Sequence, residues 1–188
     1  VERMIDAVKD EAKEKMGKSI NSMKSELKKI RTGRASLSLL DDIKVEYYGT
    51  MTPLNQLATL SVPESRLITI QPWDVSSVNS IEKAILKSNL GLTPSNDGKI
   101  IRITIPSLTE ERRREIVKQV NKMCEDYRVA VRNIRREAND TLKQLKKDGD
   151  ASEDEVFKAQ EDIQKLTDEH IKKIDEIYKE KESEVLEL

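Results

Sequence analysis

The sequence predicts an α+β protein in which an antiparallel three-helix bundle carries a small mixed β/α/β domain inserted between its first and second helices. Three observations carry this. Apolar residues recur at helical spacing over three long stretches. A segment of short alternating apolar and polar runs separates the first stretch from the second. Four of the five prolines fall inside that segment and the fifth, Pro106, closes it.

Composition agrees. Charged residues make up 37% of the 188 residues and aromatics only 3%, a mixture suited to long helices with one buried stripe and wide solvated faces. The first helix occupies residues 1–30, where Ile5, Val8, Ala12, Met16, Ile20, Met23, Leu27 and Ile30 are spaced three or four apart. Gly33 and the polar residues around it end it.

Residues 31–105 form the inserted domain. Ile43 to Tyr47 alternates as a strand does, followed by a turn at Tyr48, Gly49 and Thr50. Leu57 to Val62, Arg66 to Gln71 and Lys99 to Ile105 read as further strands, with Pro53, Pro63 and Pro72 as breaks. Val78, Ile81, Ala84 and Ile85 predict a short helix opened by Ser76 or Ser77 and closed near Gly91.

Residues 106–188 return to the helical period. Thr109 is placed as the N-cap of a helix running from 110 to 147, about 57 Å long at roughly 1.5 Å per residue. Its stripe is Ile116, Val120, Met123, Tyr127, Val131, Ile134, Ala138 and Leu142. A turn centred on Gly149 leads to a third helix, opened by the capping box of Ser152 and Glu155 and striped by Val156, Ala159, Ile163, Leu166, His170, Ile174 and Ile177. The short turn makes the last two helices antiparallel neighbours, and the first supplies the third member of the bundle.

Charge is the first pointer to function. The net charge is only -1, yet residues 106–147 hold twelve basic against seven acidic residues and residues 148–188 hold six against fifteen. On a helical wheel Arg128, Arg132, Arg135 and Arg136 cover roughly 100° beside the apolar stripe, and Arg114, Lys118, Lys143 and Lys146 extend that side. A straight cationic ridge suits phosphates at regular spacing, and arginine adds bidentate contact; the competing reading is a solvated face balanced by the acidic helix. A second cationic group, Lys28, Lys29, Arg31 and Arg34, surrounds Gly33 where the first helix gives way. It serves either RNA backbone contact or docking between domains. The linkers around Arg31, Thr32, Gly33 and Arg34 and around Ile105, Pro106 and Ser107 form the expected hinge.

Catalytic constellations are thin. His170 is the only histidine and falls on an apolar stripe, and Cys124 is the only cysteine, beside another. Both read as core residues, and a single cysteine excludes an intramolecular disulfide. Trp73 reads as an anchor of the small domain, with exposed contact as the alternative. No phosphate-binding loop, dinucleotide fingerprint or convincing metal set is present, so no enzyme, cofactor or metal is expected. No apolar run is long enough for a membrane span; the cytoplasm is the default compartment, with an organelle matrix as the alternative, and a monomer is expected. Val1 in place of Met leaves the start of the chain open.

The segment KIRTGRAS at Lys29 to Ser36 and its continuation from Ser38 to Ala58 resemble the ribosome recycling factor family of bacterial type. LTEERRREIVK at Leu108 to Lys118, VAVRNIRREAND at Val129 to Asp140 and DIQKLTDEHIKKID at Asp162 to Asp175 resemble it as well. The resemblance implies an L-shaped, tRNA-like molecule that binds the post-termination 70S ribosome and, with elongation factor G and GTP, splits it into subunits. It implies contact with large-subunit rRNA by Arg132 and its companions Arg128, Arg135 and Arg136. It places Arg31 and Arg34 at the hinge and makes Tyr47, Tyr48 and Pro53 fold-maintaining. The competing readings are a coiled-coil scaffold or RNA-binding adaptor, and an enzyme using Asp41, Asp42 or His170.

Overall fold

The computed structural model describes residues 2–88 and 90–186. Two compact units divide the chain: a helical one that runs to Ile30 and resumes at Arg113, and an inserted one from Arg31 to Arg112. Ile105, the last residue of the expected insertion, donates its N–H to the Arg66 carbonyl (2.7 Å) inside the inserted unit, and the inserted unit runs on to Arg112.

The helical unit consists of α1 (Glu2–Lys28), α3 (Glu110–Lys147) and α4 (Glu153–Leu186). Each buries one stripe. Ile5, Val8 and Ala12 of α1 meet Ala138 and Leu142 of α3 and Val156, Ala159 and Ile163 of α4 in one cluster. Each valine, leucine or isoleucine buried this way contributes about 1.5–3 kcal/mol before entropy is counted. The start of α3 is capped by Thr109, whose Oγ1 accepts from the Arg112 N–H (3.1 Å). Its end closes through Gly149 at φ 76°, with the Asp150 N–H on the Leu145 carbonyl and the Gly149 N–H on the Lys146 carbonyl. The capping box of α4 forms in both directions: Glu155 N–H to Ser152 Oγ, 3.1 Å, and Ser152 N–H to Glu155 Oε1, 3.2 Å. One core position of α4 differs from the expected stripe. Thr167 is buried and Leu166 half-buried, because the Thr167 hydroxyl satisfies itself on the Ile163 carbonyl one turn back (2.8 Å).

The inserted unit holds a hairpin of β1 (Lys44–Tyr47) and β2 (Thr50–Pro53). It also holds α2 (Val78–Lys87) and an antiparallel four-stranded sheet, in which β3 (Ala58–Glu64), β4 (Leu67–Pro72), β5 (Pro94–Asn96) and β6 (Ile101–Thr104) lie in the order β3-β4-β6-β5. Ile68 and Ile70 of β4, Ile101 and Ile103 of β6, and Val78, Ile81 and Ile85 of α2 form its core. Two strands escape sequence pattern because β2 (TMTP) and β5 (PSN) are short, proline-bearing and without alternation. Pro94 lies on an edge strand, where no ladder donor is needed. Pro63 does not break β3 but sits inside it, at the register irregularity between Ser61 and Glu64. Ser77, one of the two expected serines, stands at the N-cap position of α2. Asp74 caps a preceding 3-10 turn by accepting from the Ser76 N–H (3.0 Å), and Ser77 makes no side-chain cap.

The turn into β6 rests on Asp97, which accepts from the Lys99 N–H (2.9 Å), the Ile100 N–H (2.8 Å) and Arg102 Nη1 (3.0 Å). The two backbone donors, then the guanidinium, hold its carboxyl down at about 2 against an ordinary 3.8. A depressed folded pKa means this stabilisation is complete above 3.8 and lost as pH falls through about 2. Asp97→Asn is therefore expected to be less stable than the parent at neutral pH and to match it near pH 2. Urea melts of both proteins across that window, followed by the fluorescence of Trp73, the only tryptophan and a β-domain residue, check this.

Candidate nucleic-acid interface

The cationic face of α3 exists because its 38 residues form one uninterrupted helix. Glu110 and Glu111 in the first turn and Lys146 and Lys147 in the last suit the helix dipole. No proline or glycine interrupts it, so residues a turn apart stay aligned.

The four central arginines are not equivalent. Arg128 keeps only 15% of its side chain exposed; its Nε donates to Asp175 of α4 (2.8 Å) and its Nη1 to Glu125 (3.1 Å). Burial works against its charge, but the two carboxylates outweigh burial and raise its pKa. Arg128 thereby braces α3 against α4. Arg132 is 40% exposed, with Nη1 3.5 Å from Glu125 Oε1. Arg135 reaches α4 through Gln164 Oε1 at 3.3 Å, and the exposed Arg136 donates to its neighbour Asn133, also at 3.3 Å. Arg114 and Lys118 are exposed further toward the N-terminus of α3. Lys146 pairs with Glu153 across the α3–α4 turn (3.5 Å). Sequence spacing groups these side chains correctly on one face, but not the division between Arg128 and the rest, which depends on Asp175 arriving from another helix.

The linker residues are placed in detail on the inserted unit. Thr32 and Ile105 are buried, Arg34 is half-buried, and Arg31, Pro106 and Ser107 are exposed. Gly33 stands at φ 81°, a backbone state that L side chains rarely adopt. A Cβ on Gly91 would meet the Arg31 guanidinium at 3.7 Å, so Arg31 lies over the loop after α2. The Ala35 N–H donates to the Ser65 carbonyl and the Ile105 N–H to the Arg66 carbonyl, each at 2.7 Å. Entry and exit of the inserted unit are thus tied to the same β3–β4 turn.

His170 is buried with Nδ1 2.7 Å from the Leu166 carbonyl, and Cys124 is buried, its thiol pushed up by burial. Both residues best suited to acid–base or nucleophilic work are committed to the core. Among the described residues no group of three or more His, Cys, Asp or Glu is placed to hold a metal ion, and no helix is long and apolar enough to cross a membrane.

Two aromatic residues stand differently from expectation. Trp73 is 65% exposed, fixed to the sheet by Nε1 donating to Thr59 Oγ1 (2.9 Å), and is not a core anchor. Tyr48 is 84% exposed at the tip of the β1–β2 hairpin, where it and Gly49 both take positive φ (48° and 76°), as a two-residue type I′ loop requires. Its ring meets Tyr47 edge-on at 4.5 Å. Tyr47 does maintain the fold, through its hydroxyl on Asp74 Oδ2 (3.0 Å).

The geometry defines a class: a helical-bundle protein with an inserted α+β unit and one cationic helix face. Comparison with known proteins narrows it. The sequence model of the ribosome recycling factor family matches residues 23–186. The ribosome-recycling factor of Desulfosudis oleivorans is 63% identical over 98% of this chain and all of its own length, and that of a Geobacillus species 60% identical over the same shares. A solution structure of a ribosome recycling factor superposes with a TM-score of 0.80 at 45% identity, covering 98% of both chains. Models for the T. thermophilus ribosome recycling factor and the E. coli elongation factor G bound to the E. coli post-termination complex include a chain with a TM-score of 0.66 and 48% identity, over 97% of this chain and 98% of that one. The chain belongs to the ribosome recycling factor family.

Proposed function

We propose that this protein is a translation factor that binds the post-termination 70S ribosome and, together with elongation factor G and GTP, separates it into subunits for another round of synthesis. The observation that carries the reading is full-length identity with ribosome-recycling factors, 63% over 98% of the chain. A 48% identical relative described as bound, with elongation factor G, to a post-termination complex supports the partners. Arg132, Arg135 and Arg136, extended by Lys118 and Arg114, contact large-subunit rRNA phosphates, and Arg128 holds the helix that presents them. The linkers at Arg31, Thr32, Gly33 and Arg34 and at Ile105, Pro106 and Ser107 serve as the hinge. Ile105 is the anchored end of the second linker: with Ala35 it is tied to the β3–β4 turn, which supports bending at Arg31 to Arg34 and at Pro106 and Ser107. The protein catalyses nothing itself: GTP hydrolysis belongs to the elongation factor, and the work here is oriented binding. It acts as a monomer in the cytoplasm.

Light scattering of post-termination 70S complexes tests the reading. Mixed with this protein, elongation factor G and GTP, the complexes are expected to lose scattering only when all three are present. A flat signal with an elongation factor of proven activity overturns it.

A further inference from the structure

The cationic ridge contains an acid at its centre. Glu125 lies on the same helix face as Arg132 and Arg136, roughly 60° around from Arg128 at 100° per residue. Both of its carboxylate oxygens point at arginines, Oε2 at Arg128 (3.1 Å) and Oε1 at Arg132 (3.5 Å). Arg128 already has a carboxylate in Asp175. Counting Arg128 and Arg132 against Glu125 and Asp175, the centre of the ridge is neutral in the free protein.

A phosphate reaching Arg132 meets this carboxylate at close range. Like charges a few ångströms apart repel, and the guanidinium edge facing Glu125 is taken. The pair is half-exposed, with 40% of Arg132 and 54% of Glu125 accessible, so water and ions weaken it and a phosphate can displace it. Displacement does not strand the carboxylate, because the shorter contact to Arg128 remains. We propose that Glu125 is a built-in competitor for Arg132: it holds the guanidinium in the free protein, yields it to an RNA phosphate on binding, and by reclaiming it speeds release. The inference rests on the RNA-contact reading of the ridge. A factor that must leave the subunits after separating them is served by such a brake on affinity.

The test compares the parent, Glu125→Gln, Arg132→Gln and the double variant in binding to purified 70S ribosomes over a salt series. Gln keeps the shape and loses the charge. Glu125→Gln is expected to bind about three- to tenfold more tightly, chiefly through slower dissociation, with a salt dependence steeper by roughly 0.7–0.9 in slope. The gain should vanish when Arg132 is also Gln. Unchanged or weaker binding of Glu125→Gln overturns the proposal, since a merely structural role predicts that result. A gain that persists in the double variant overturns it too, pointing to bulk charge alone. If Arg132→Gln binds as the parent does, the RNA-contact reading itself fails, a result separate from either of these.

Discussion

Replacing Arg132 by Glu is expected to weaken binding to 70S ribosomes by about a hundredfold while the bundle melts within about 1 kcal/mol of the parent. The two effects separate because of where the side chain stands. Arg132 is 40% exposed and its ion pair is with Glu125 of its own helix, so the substitution leaves the contacts between helices in place. Reversing the charge removes a charge-assisted phosphate contact and adds repulsion, and each factor of ten corresponds to about 1.4 kcal/mol. Arg128→Ala is the instructive contrast. It strips the brace to Asp175, so its effect falls on stability rather than on the RNA contact. Affinity measured at matched salt, with helical content and thermal midpoint followed by circular dichroism, decides the matter. Unchanged affinity of the Arg132 variant counts against the ridge as the ribosome contact.

How far each element is legible in the amino-acid sequence follows from the physics that holds it. The three long helices are legible because one stripe at a period of 3.6, a Thr109 cap and the Ser152–Glu155 capping box are all local signals. Strands β4 and β6 are legible by alternation, Ile68 and Ile70 facing inward with Ile101 and Ile103. Strands β2 and β5 are not, since they are held by their pairing partners rather than by their own pattern. At α2 the N-cap position, Ser77, is legible, while the capping of the preceding 3-10 turn by Asp74 is not, because the helical period does not announce that turn. The same limit applies at the ridge. Spacing puts Arg128 beside Arg132, and only the packing of α4 makes one clamped and the other half-open. Trp73 is misjudged as an anchor for want of any local signal that distinguishes an aromatic core residue from a surface one.

Truncating Ile81 to Ala is expected to destabilise the inserted unit by about 2–5 kcal/mol, the range for removing a large aliphatic side chain from a packed core. Ile81 is fully buried on α2 against the Ile68, Ile70, Ile101 and Ile103 face of the sheet, where rigid strands cannot collapse into the space left. The unit spans only Arg31 to Arg112. At about 0.05–0.15 kcal/mol per residue a domain of that size holds about 4–12 kcal/mol, so the loss removes a large share of its stability. The long helices have their own core in Ile5, Leu142, Val156 and Ile163, which the substitution does not touch. Hydrogen exchange is therefore expected to accelerate across β3, β4 and β6 while α3 and α4 keep their protection. Trp73 fluorescence should shift in less urea than the helical circular dichroism signal does. On the proposed function, such a protein still binds ribosomes through α3 but no longer separates subunits, since the hinged unit is soft. Loss of protection in both units together would mean that the chain folds as one cooperative body and would count against an independently folded, hinged unit.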